Sequence, residues 1–373
     1  MIYLDYSATT MTKNSVISYF NEVENKYFAN PNSLHKLGIE AKQEIDKNIN
    51  LIKEKLNLVN HEIIFTSGAS EANNFVIKGL ADKTEKKHII TTKFEHSSIN
   101  TTLGYLQRKG YKITFLKFNE DGTVDIEDLK NQITEDTFLV TVGAVNSEIG
   151  ILQQIEEIGK VLKDYPDVLF HSDITQAIGK IKLDLTNVDL ASFSGHKIYA
   201  PKGIGGLIIK NDVKITPLIH GGKSTTIFRS GTPQTGLICA LGKAISEIYN
   251  ELDSNYAHVL ELNKYLKTSL EKYKDVVVNS NEKCIPHILN ISILGRKSNE
   301  TQKFFSDNDI YLSTKTACSS DGDMSLNVFD LTKDEQRSKS SIRISLSYLT
   351  TKEEIDEFLE KLSIYLGEKY ENS

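Results

Sequence analysis

The order of apolar and polar segments along the chain is typical of an α/β protein. Short apolar runs bounded by polar turns alternate with longer segments in which apolar side chains recur every three or four positions. The apolar runs include residues 62–65, 87–92, 137–142 and 168–173. Short loops join them to the helical segments, and this alternation predicts a mostly parallel sheet covered by helices.

Both ends of the chain show further regular patterns. Helices are predicted over residues 13–28 and 34–58, and a last helix opens with the capping box Thr351-x-x-Glu354. Three more strands are predicted over residues 276–278, 287–293 and 341–346. We therefore expect a large domain formed by residues 15–255 and a small domain formed by residues 1–14 and 256–373.

Composition and charge narrow the class of protein. The chain has 373 residues, of which 39% are hydrophobic and 25% charged, as in ordinary globular proteins. The net charge of −6 argues against direct nucleic-acid binding. Three scattered cysteines favour a reducing, cytoplasmic setting over a disulfide framework or a zinc site. We expect no signal peptide, and no apolar run approaches the ~20 residues that span a membrane.

Polar residues follow the carboxyl ends of several predicted strands. His96, Asn146, Asp173 and Lys197 all occupy such positions. Ligands of parallel sheets bind beyond this edge, so the four residues together predict a site. Each residue taken alone is equally compatible with a structural role.

Two of these segments suggest definite chemistry. Lys197 lies between two apolar runs, where loss of hydration lowers a lysine pKa and favours a nucleophilic amine, although a solvated lysine at a strand end is the alternative. Residues 66–74 lead from a strand through a glycine turn into a helix. The free N–H groups of such a helix start bind phosphate, and an ordinary capped helix start is the alternative.

These groups match the needs of one cofactor. A desolvated lysine forms a Schiff base with an aldehyde, and an aspartate on a neighbouring strand keeps a pyridine nitrogen protonated. A histidine can lie over the ring while the helix start holds a phosphate. The set therefore predicts binding of pyridoxal 5′-phosphate.

Eleven motifs occur in the order in which a known family has them. They are LDYSATT, NPNSLHKLG, FTSGASEANN, EHSSI, AVNSEIG, HSDITQAIGK, SFSGHKIYAPKGIG, HGG, RSGT, TACSS and SSIRISLS. Over residues 2–360 the chain resembles the cysteine desulfurases. The resemblance implies a pyridoxal-phosphate-dependent transferase of fold type I, with a mostly parallel seven-stranded sheet in the large domain and a smaller α/β C-terminal domain.

The implied reaction removes sulfur from L-cysteine. It gives L-alanine and a persulfide on Cys318, which passes to a sulfur-acceptor protein in iron–sulfur cluster assembly or tRNA thiolation. Cys318 lies in a small polar segment after the predicted strand 310–313, which is typical of a thiol that moves, and an incidental surface thiol is the alternative. About two dozen residues separate Cys318 from Arg343, as in the long-loop desulfurases that serve many acceptors.

The resemblance also implies the roles of other residues. Lys197 is expected to be the Schiff-base lysine and His96 the ring-stacking acid/base. The substrate carboxylate is expected to bind Asn30 and Arg343. Contacts to the cofactor are expected from Asp173 at the pyridine nitrogen, Gln176 at the ring hydroxyl, Ala69, Asn146, the phosphate ligands Ser70, Ser194 and His196, and Thr232 of the second subunit of a homodimer.

Several positions depart from the family pattern. Ser147 replaces an asparagine near the ring hydroxyl, and Ile174 stands where a small alanine packs under the ring. Lys223 and Lys315 also replace family residues. The changes beside the ring are expected to alter the cofactor tilt or lower the turnover, and the family residues that remain predict a divergent but active desulfurase. The alternatives are therefore another class-V enzyme, such as a selenocysteine lyase or an aminotransferase, and a catalytically weak sulfur-relay or regulatory homologue.

Overall fold

The computed structural model describes residues 1–222, 226–314 and 324–367. Its strands, in chain order, are β1 (Ile2–Tyr3), β2 (His61–Thr66), β3 (His88–Thr91), β4 (Lys112–Phe115), β5 (Thr137–Thr141), β6 (Leu169–Asp173), β7 (Leu190–Ser194), β8 (Gly205–Lys210), β9 (Val276–Val278), β10 (Ile288–Ile293), β11 (Ile310–Tyr311) and β12 (Ser341–Ser345).

The helices follow the predicted alternation with these strands. They are α1 (Asn14–Lys26), α2 (Lys36–Lys55), α3 (Ala69–Ala81), α4 (Ser97–Gln107), α5 (Ile126–Gln132), α6 (Ile155–Leu162), α7 (Thr235–Asn250), α8 (Leu252–Leu270), α9 (Ser298–Asp307), α10 (Leu326–Thr332), α11 (Glu335–Lys339) and α12 (Lys352–Leu366). Among the described residues, no helix combines the length and the apolar character that a membrane crossing requires.

A seven-stranded sheet forms the centre of the molecule. Its strand order is β2-β8-β7-β6-β5-β3-β4, and β8 alone runs antiparallel to its neighbours in this sheet. Strands β3, β5 and β7 are buried at every position, which explains their continuous apolar runs. The expected α/β fold with a mostly parallel seven-stranded sheet is confirmed.

Helices cover both faces of this sheet. On one face, side chains of α2, α6 and α7 pack with Phe170 and Phe193 of the sheet. On the other face, side chains of α3 and α4 pack with Leu139 and Leu207. Both faces of the inner strands β3, β5 and β7 are therefore dry, whereas the edge strand β4 is exposed or half-buried.

The first residues of the chain pack with its last third. Strand β1 pairs in parallel with β11, while β9, β10 and β12 form an antiparallel sheet. Ile2 and Leu4 join a core that contains Phe305 and Phe358, whose rings stack with their centroids 5.0 Å apart. The domain boundaries expected after residues 14 and 255 stay a prediction.

The helix boundaries follow from local capping. Helix α2 begins at Lys36, two residues later than expected, because the His35 side chain accepts a hydrogen bond from the Gly38 N–H (3.3 Å) as its N-cap. The predicted capping box of Thr351 and Glu354 opens α12.

Gly205 is the position at which β8 passes closest to the start of α3. A Cβ at this residue would lie 2.6 Å from the Gly68 Cα and would also overlap the Phe193 carbonyl oxygen. We predict that Gly205→Ala lowers the free energy of unfolding by about 1–3 kcal/mol, the usual cost of overpacking. Urea denaturation measures the change.

The matched control is Gly104→Ala in α4, where the nearest atom to the added Cβ is 4.0 Å away. Alanine is the better helix former, so this variant should be as stable as the wild type or about 0.5–1 kcal/mol more stable. Equal stability of Gly205→Ala and the wild type would contradict the close approach of β8 and α3.

Candidate active site

A cavity of about 250 Å³ lies at the carboxyl ends of the central strands. Residues from the first turn of the chain, from α3, from the ends of β6 and β7 and from β12 line it. Nine of the thirteen predicted site residues are among them, namely Ala69, Ser70, His96, Asp173, Gln176, Ser194, His196, Lys197 and Arg343. The structure therefore brings most of the predicted site together.

The other four predicted residues have different surroundings. Asn30 is exposed, and its side chain accepts a hydrogen bond from the Asn32 N–H (2.9 Å). Thr232 is exposed in a second pocket, beside Ser67. Cys318 lies outside the described residues, as do Lys223 and Lys315 of the family departures.

Asn146 lies behind the cavity wall instead of lining the cavity. Its side-chain oxygen accepts hydrogen bonds from the N–H groups of Glu148 (3.0 Å) and Ile149 (2.7 Å), and its amide nitrogen donates to the Phe94 carbonyl oxygen (3.2 Å). These contacts occupy Asn146 in shaping the turn after β5, so its predicted contact with the cofactor receives no support from this geometry.

Asp173 lies at the end of β6 and is held by two donors. Its carboxyl group accepts hydrogen bonds from the Asn73 side chain (2.8 Å) and from the Thr175 N–H (3.0 Å). Asn73 is fully buried in α3 and also bonds Ser98 (2.9 Å) and Ser192. The carboxyl group is thus fixed in direction by one side chain of α3 and by the backbone of the turn that follows β6.

His96 is both a cavity residue and the N-cap of α4. Its Nδ1 accepts a hydrogen bond from the Ser98 N–H (3.2 Å), so the neutral ring carries its proton on Nε2. Burial lowers the pKa of His96, and the positive charge of Lys197 lowers it further. The ring is therefore neutral near pH 7.

The start of α3 forms the opposite wall. The Ala69 N–H donates to Ser194 Oγ (2.8 Å), while Ser70 is exposed. His196 Nδ1 lies 3.1 Å from Thr9 Oγ1, and burial lowers the pKa of His196 to about 4. A helix start, two hydroxyl groups and a neutral imidazole thus line this end of the cavity.

Gln176 is held at both ends of its side chain. Its amide nitrogen donates to the Ser7 carbonyl oxygen (2.9 Å), and its oxygen accepts from Lys180 Nζ (2.5 Å). Lys180 is buried, and desolvation places its pKa well below the usual range. Sequence reasoning did not identify this lysine, although it stands one helical turn after Gln176.

Arg343 projects into the cavity from β12 and is only 2% exposed. Its Nη2 donates to Asp5 Oδ1 (2.7 Å) and its Nη1 to the Ser147 carbonyl oxygen (2.8 Å). Its Nε is buried and has no hydrogen-bond partner among the described residues. An unpaired charged donor in a cavity favours an anionic guest.

Comparison with known proteins identifies the family. The model of the class-V aminotransferase family matches residues 2–358. A protein of Clostridium botulinum named cysteine desulfurase IscS is 38% identical, with 100% of this chain and 96% of the relative covered. Its namesake in Rickettsia prowazekii is 39% identical over 95% of this chain and 88% of the relative. The chain belongs to the cysteine desulfurases of the class-V aminotransferase family.

Solved structures of similar proteins agree with the family. A NifS-like protein superposes with a TM-score of 0.92 at 33% identity and covers 98% of this chain and 99% of its own. A structure described as SspA in complex with cysteine has a TM-score of 0.82 at 31% identity, over 94% of this chain and 100% of its own. The likeness extends over nearly the whole of this cysteine desulfurase.

Ile174, which was expected to lie under the cofactor ring of this desulfurase, does not line the cavity. It is fully buried in the hydrophobic core. Thr175 lines the cavity instead, and its hydroxyl group is buried without a partner among the described residues. The chain leaves β6 in a turn here, so the alternation of a strand no longer decides which side chain faces the site. Ser147 does line the cavity.

Glu95 is a buried acid that sequence reasoning missed. Its carboxyl group lines the cavity and accepts hydrogen bonds from the Gly143 N–H (3.0 Å) and the Thr92 hydroxyl (2.7 Å). Burial, with a smaller contribution from the charge of Asp173, raises the pKa of Glu95 to about 7. The signal in the sequence was an acid directly before the candidate histidine.

The raised pKa makes stability depend on pH. The folded protein holds the Glu95 proton more tightly than the unfolded chain, so Glu95 weakens the fold as pH rises from about 4.5 to about 7. We predict that the free energy of unfolding of the wild type falls by a contribution on the order of 3 kcal/mol over this pH window. Glu95→Gln has no titrating proton and should not show this fall.

Urea denaturation of the cofactor-free protein at a series of pH values measures the effect. The control is Glu62→Gln, an exposed acid of β2, whose stability should follow the wild-type pH dependence. Parallel pH profiles of the wild type and Glu95→Gln would contradict the buried, protonated acid.

Proposed function

We propose that this protein is a pyridoxal-phosphate-dependent cysteine desulfurase that takes sulfur from L-cysteine, releases L-alanine and collects the sulfur as a persulfide on Cys318. One observation carries the proposal: the lysine, aspartate, histidine and arginine expected of the family line one cavity at the strand ends. Full-length relatives named cysteine desulfurase, and a structural neighbour described in complex with cysteine, support it.

The residues present fit the cofactor of this family. The start of α3 with Ser194 offers N–H and hydroxyl donors to a phosphate, and Asp173 is fixed to face a ring nitrogen. The half-buried Lys197 lines the same cavity. Pyridoxal phosphate, when bound, supplies an electron-withdrawing ring that stabilises negative charge on the substrate carbon.

Each wall of the cavity then has its own task. Lys197 holds the cofactor covalently, and Gln176, fixed by Ser7 and Lys180, is placed to contact the ring hydroxyl. His196 is neutral near pH 7 because of its lowered pKa, so it meets the phosphate as a hydrogen-bonding group without adding a charge.

His96 is assigned as the acid/base that stacks on the ring. Its lowered pKa keeps the ring neutral, and its Nδ1 bond to the Ser98 N–H leaves a proton on Nε2. Proton transfer near neutral pH requires a group whose pKa lies close to that range. The helix cap at α4 sets both the orientation and the tautomer of this ring.

Arg343 is assigned to the substrate carboxylate. Its guanidinium lines the cavity with a buried Nε that has no partner among the described residues, and an arginine fork suits a carboxylate in geometry as well as charge. The accompanying role of Asn30 rests on the family resemblance, since its side chain is exposed.

Partners of the enzyme are part of the proposal. The exposed position of Thr232, away from the main cavity, suits a residue that completes the site of a second subunit. Large exposed hydrophobic side chains between residues 28 and 39 offer an apolar surface for such a homodimer: Phe28, Leu34, Leu37 and Ile39. A sulfur-acceptor protein and a cytoplasmic location stay predictions.

The catalytic thiol separates the proposal from the other class-V reactions. An aminotransferase needs no cysteine, whereas a desulfurase needs Cys318 as thiolate. We predict that Cys318→Ala loses alanine production from L-cysteine by at least about a hundredfold, as expected for loss of a nucleophile. Alanine is quantified by chromatography, and the persulfide of the wild type is mapped by mass spectrometry of peptides.

The control is Cys284→Ala. Burial raises the pKa of the Cys284 thiol to about 11, so this thiol is inert and its loss should leave alanine production intact. Retained turnover in Cys318→Ala would instead favour a selenocysteine lyase or aminotransferase type of reaction that does not use this thiol.

Covalent attachment of the cofactor is tested at Lys197. We predict that Lys197→Ala is purified without the long-wavelength absorbance of the bound cofactor, because the amine that anchors it is missing. The exposed neighbour Lys202 provides the control, and Lys202→Ala should keep the absorbance. Lack of this absorbance in the wild type after incubation with pyridoxal phosphate would contradict the assignment and favour a non-enzymatic homologue.

A further inference from the structure

The first turn of the chain contacts the residue assigned to the substrate carboxylate. Asp5 Oδ1 accepts a hydrogen bond from Arg343 Nη2 at 2.7 Å, across 338 positions of sequence. The Asp5 side chain is 18% exposed and that of Arg343 2%. Asp5 belongs to the family motif LDYSATT. None of the roles assigned above to cofactor or substrate binding involves this motif.

The backbone holds Asp5 and Arg343 in a fixed relation. Asp5 forms a β-bridge with Ser345 of β12, two residues beyond Arg343. The Ser345 N–H also donates to the Leu4 carbonyl oxygen (2.7 Å), and its hydroxyl group accepts from the Ser7 N–H (3.0 Å). The acid therefore meets the arginine from a rigid element.

The same turn supports two other walls of the site. The Ser7 carbonyl oxygen holds Gln176, and the N–H of Thr10 donates to the His196 carbonyl oxygen (2.8 Å). Residues 5–10 thus contact the groups assigned to substrate, ring and phosphate. Of these contacts, the one with Arg343 is charged and buried, and it carries the sharpest consequence.

We propose that Asp5 is a positioning residue for substrate recognition, which fixes the guanidinium plane of Arg343 so that its remaining donors meet the carboxylate of L-cysteine. This inference rests on the proposed function. Asp5 and the Ser147 carbonyl oxygen hold the two terminal nitrogens, and Nε is left unpaired. The arginine is therefore oriented before substrate arrives, which reduces the ordering cost of binding.

Two effects of Asp5 on substrate binding oppose each other. Its negative charge partly neutralises Arg343, which by itself would weaken the attraction for a carboxylate. Its hydrogen bond also fixes the guanidinium, which strengthens a directional contact. We expect orientation to prevail, because a buried arginine without its acid has an uncompensated charge and turns towards other acceptors, such as backbone carbonyl groups.

The test uses the loaded enzyme and two amines that differ by a carboxylate. L-Alanine carries the group that Arg343 binds, whereas ethylamine lacks it. Their competitive inhibition constants against L-cysteine are measured for the wild type, Asp5→Ala and Asp5→Asn, with Arg343→Ala as the reference for complete loss of the clamp. Asp309→Asn is the matched control, since Asp309 is an exposed acid beside β11 that bonds Tyr311 instead.

Asp5→Ala should raise the KM for L-cysteine and the inhibition constant of L-alanine by about tenfold or more, the scale of a lost charged hydrogen bond. The inhibition constant of ethylamine should change by less than about twofold in Asp5→Ala. The KM and both inhibition constants of Asp309→Asn should also stay within about twofold of the wild type. Asp5→Asn keeps an acceptor oxygen and should show a smaller rise for L-alanine. If Asp5→Ala does not fold, the ratio of the two inhibition constants in Asp5→Asn decides alone.

Equal weakening of L-alanine and ethylamine would show a merely structural role and overturn the inference. Unchanged or tighter binding of L-alanine would also overturn it, the latter by showing that Asp5 competes with the substrate. A wild type that forms no alanine from L-cysteine would refute the proposed function; dissociation constants of the two amines, measured by titrating the absorbance of the bound cofactor, would then still decide the role of Asp5.

Discussion

The buried contact between Asn73 and Asp173 is the interaction on which the site depends. Asn73 belongs to α3, whose first residues line the cavity, and Asp173 ends β6. The same amide bonds Ser98, the hydroxyl partner of His96, and Ser192 of β7. One side chain thereby links four elements that contribute to the site. Because this amide is fully buried, loss of any partner would leave a polar group unsatisfied at a cost of about 1–3 kcal/mol. The network is therefore specific as well as stabilising.

A second connection joins the two sheets across the cavity. Arg343 of β12 reaches the Ser147 carbonyl oxygen after β5, and the adjacent Glu148 accepts a hydrogen bond from Asn327 of α10 (2.7 Å). The antiparallel sheet is thus tied to the central sheet at the edge where substrate would bind. A change in the relative position of the two sheets would move the arginine with respect to Asp173. The geometry of substrate binding would therefore depend on how the two sheets pack against each other.

The positions of His96, Asp173 and Lys197 were predictable because each lies at, or a few residues after, the carboxyl end of a parallel strand, and the ends of such strands meet at one edge. The role of Asn73 was not, since a polar residue on a helix gives no indication of its partners in other elements. Asp5 and Arg343 are 338 residues apart, and no local pattern relates them. Strand β4 also escaped the sequence reasoning, because its four residues are exposed or half-buried and form no apolar run. Long-range polar contacts and edge strands are what periodicity cannot show.

The charges of the cavity residues explain why a single residue, Arg343, would orient the substrate. Burial lowers the pKa of His96, His196 and Lys180 and raises that of Glu95, which drives each group towards its neutral form. Arginine stays protonated at any accessible pH, so Arg343 is a fixed positive charge in a cavity whose two histidines are neutral near pH 7. With Lys197 assigned to the cofactor, a small zwitterionic substrate would be oriented chiefly by this guanidinium, because the neutral histidines do not compete for its carboxylate. The direction in which Arg343 points then determines which substrate atoms reach Lys197 and the ring, and that direction is set by its two oxygen partners.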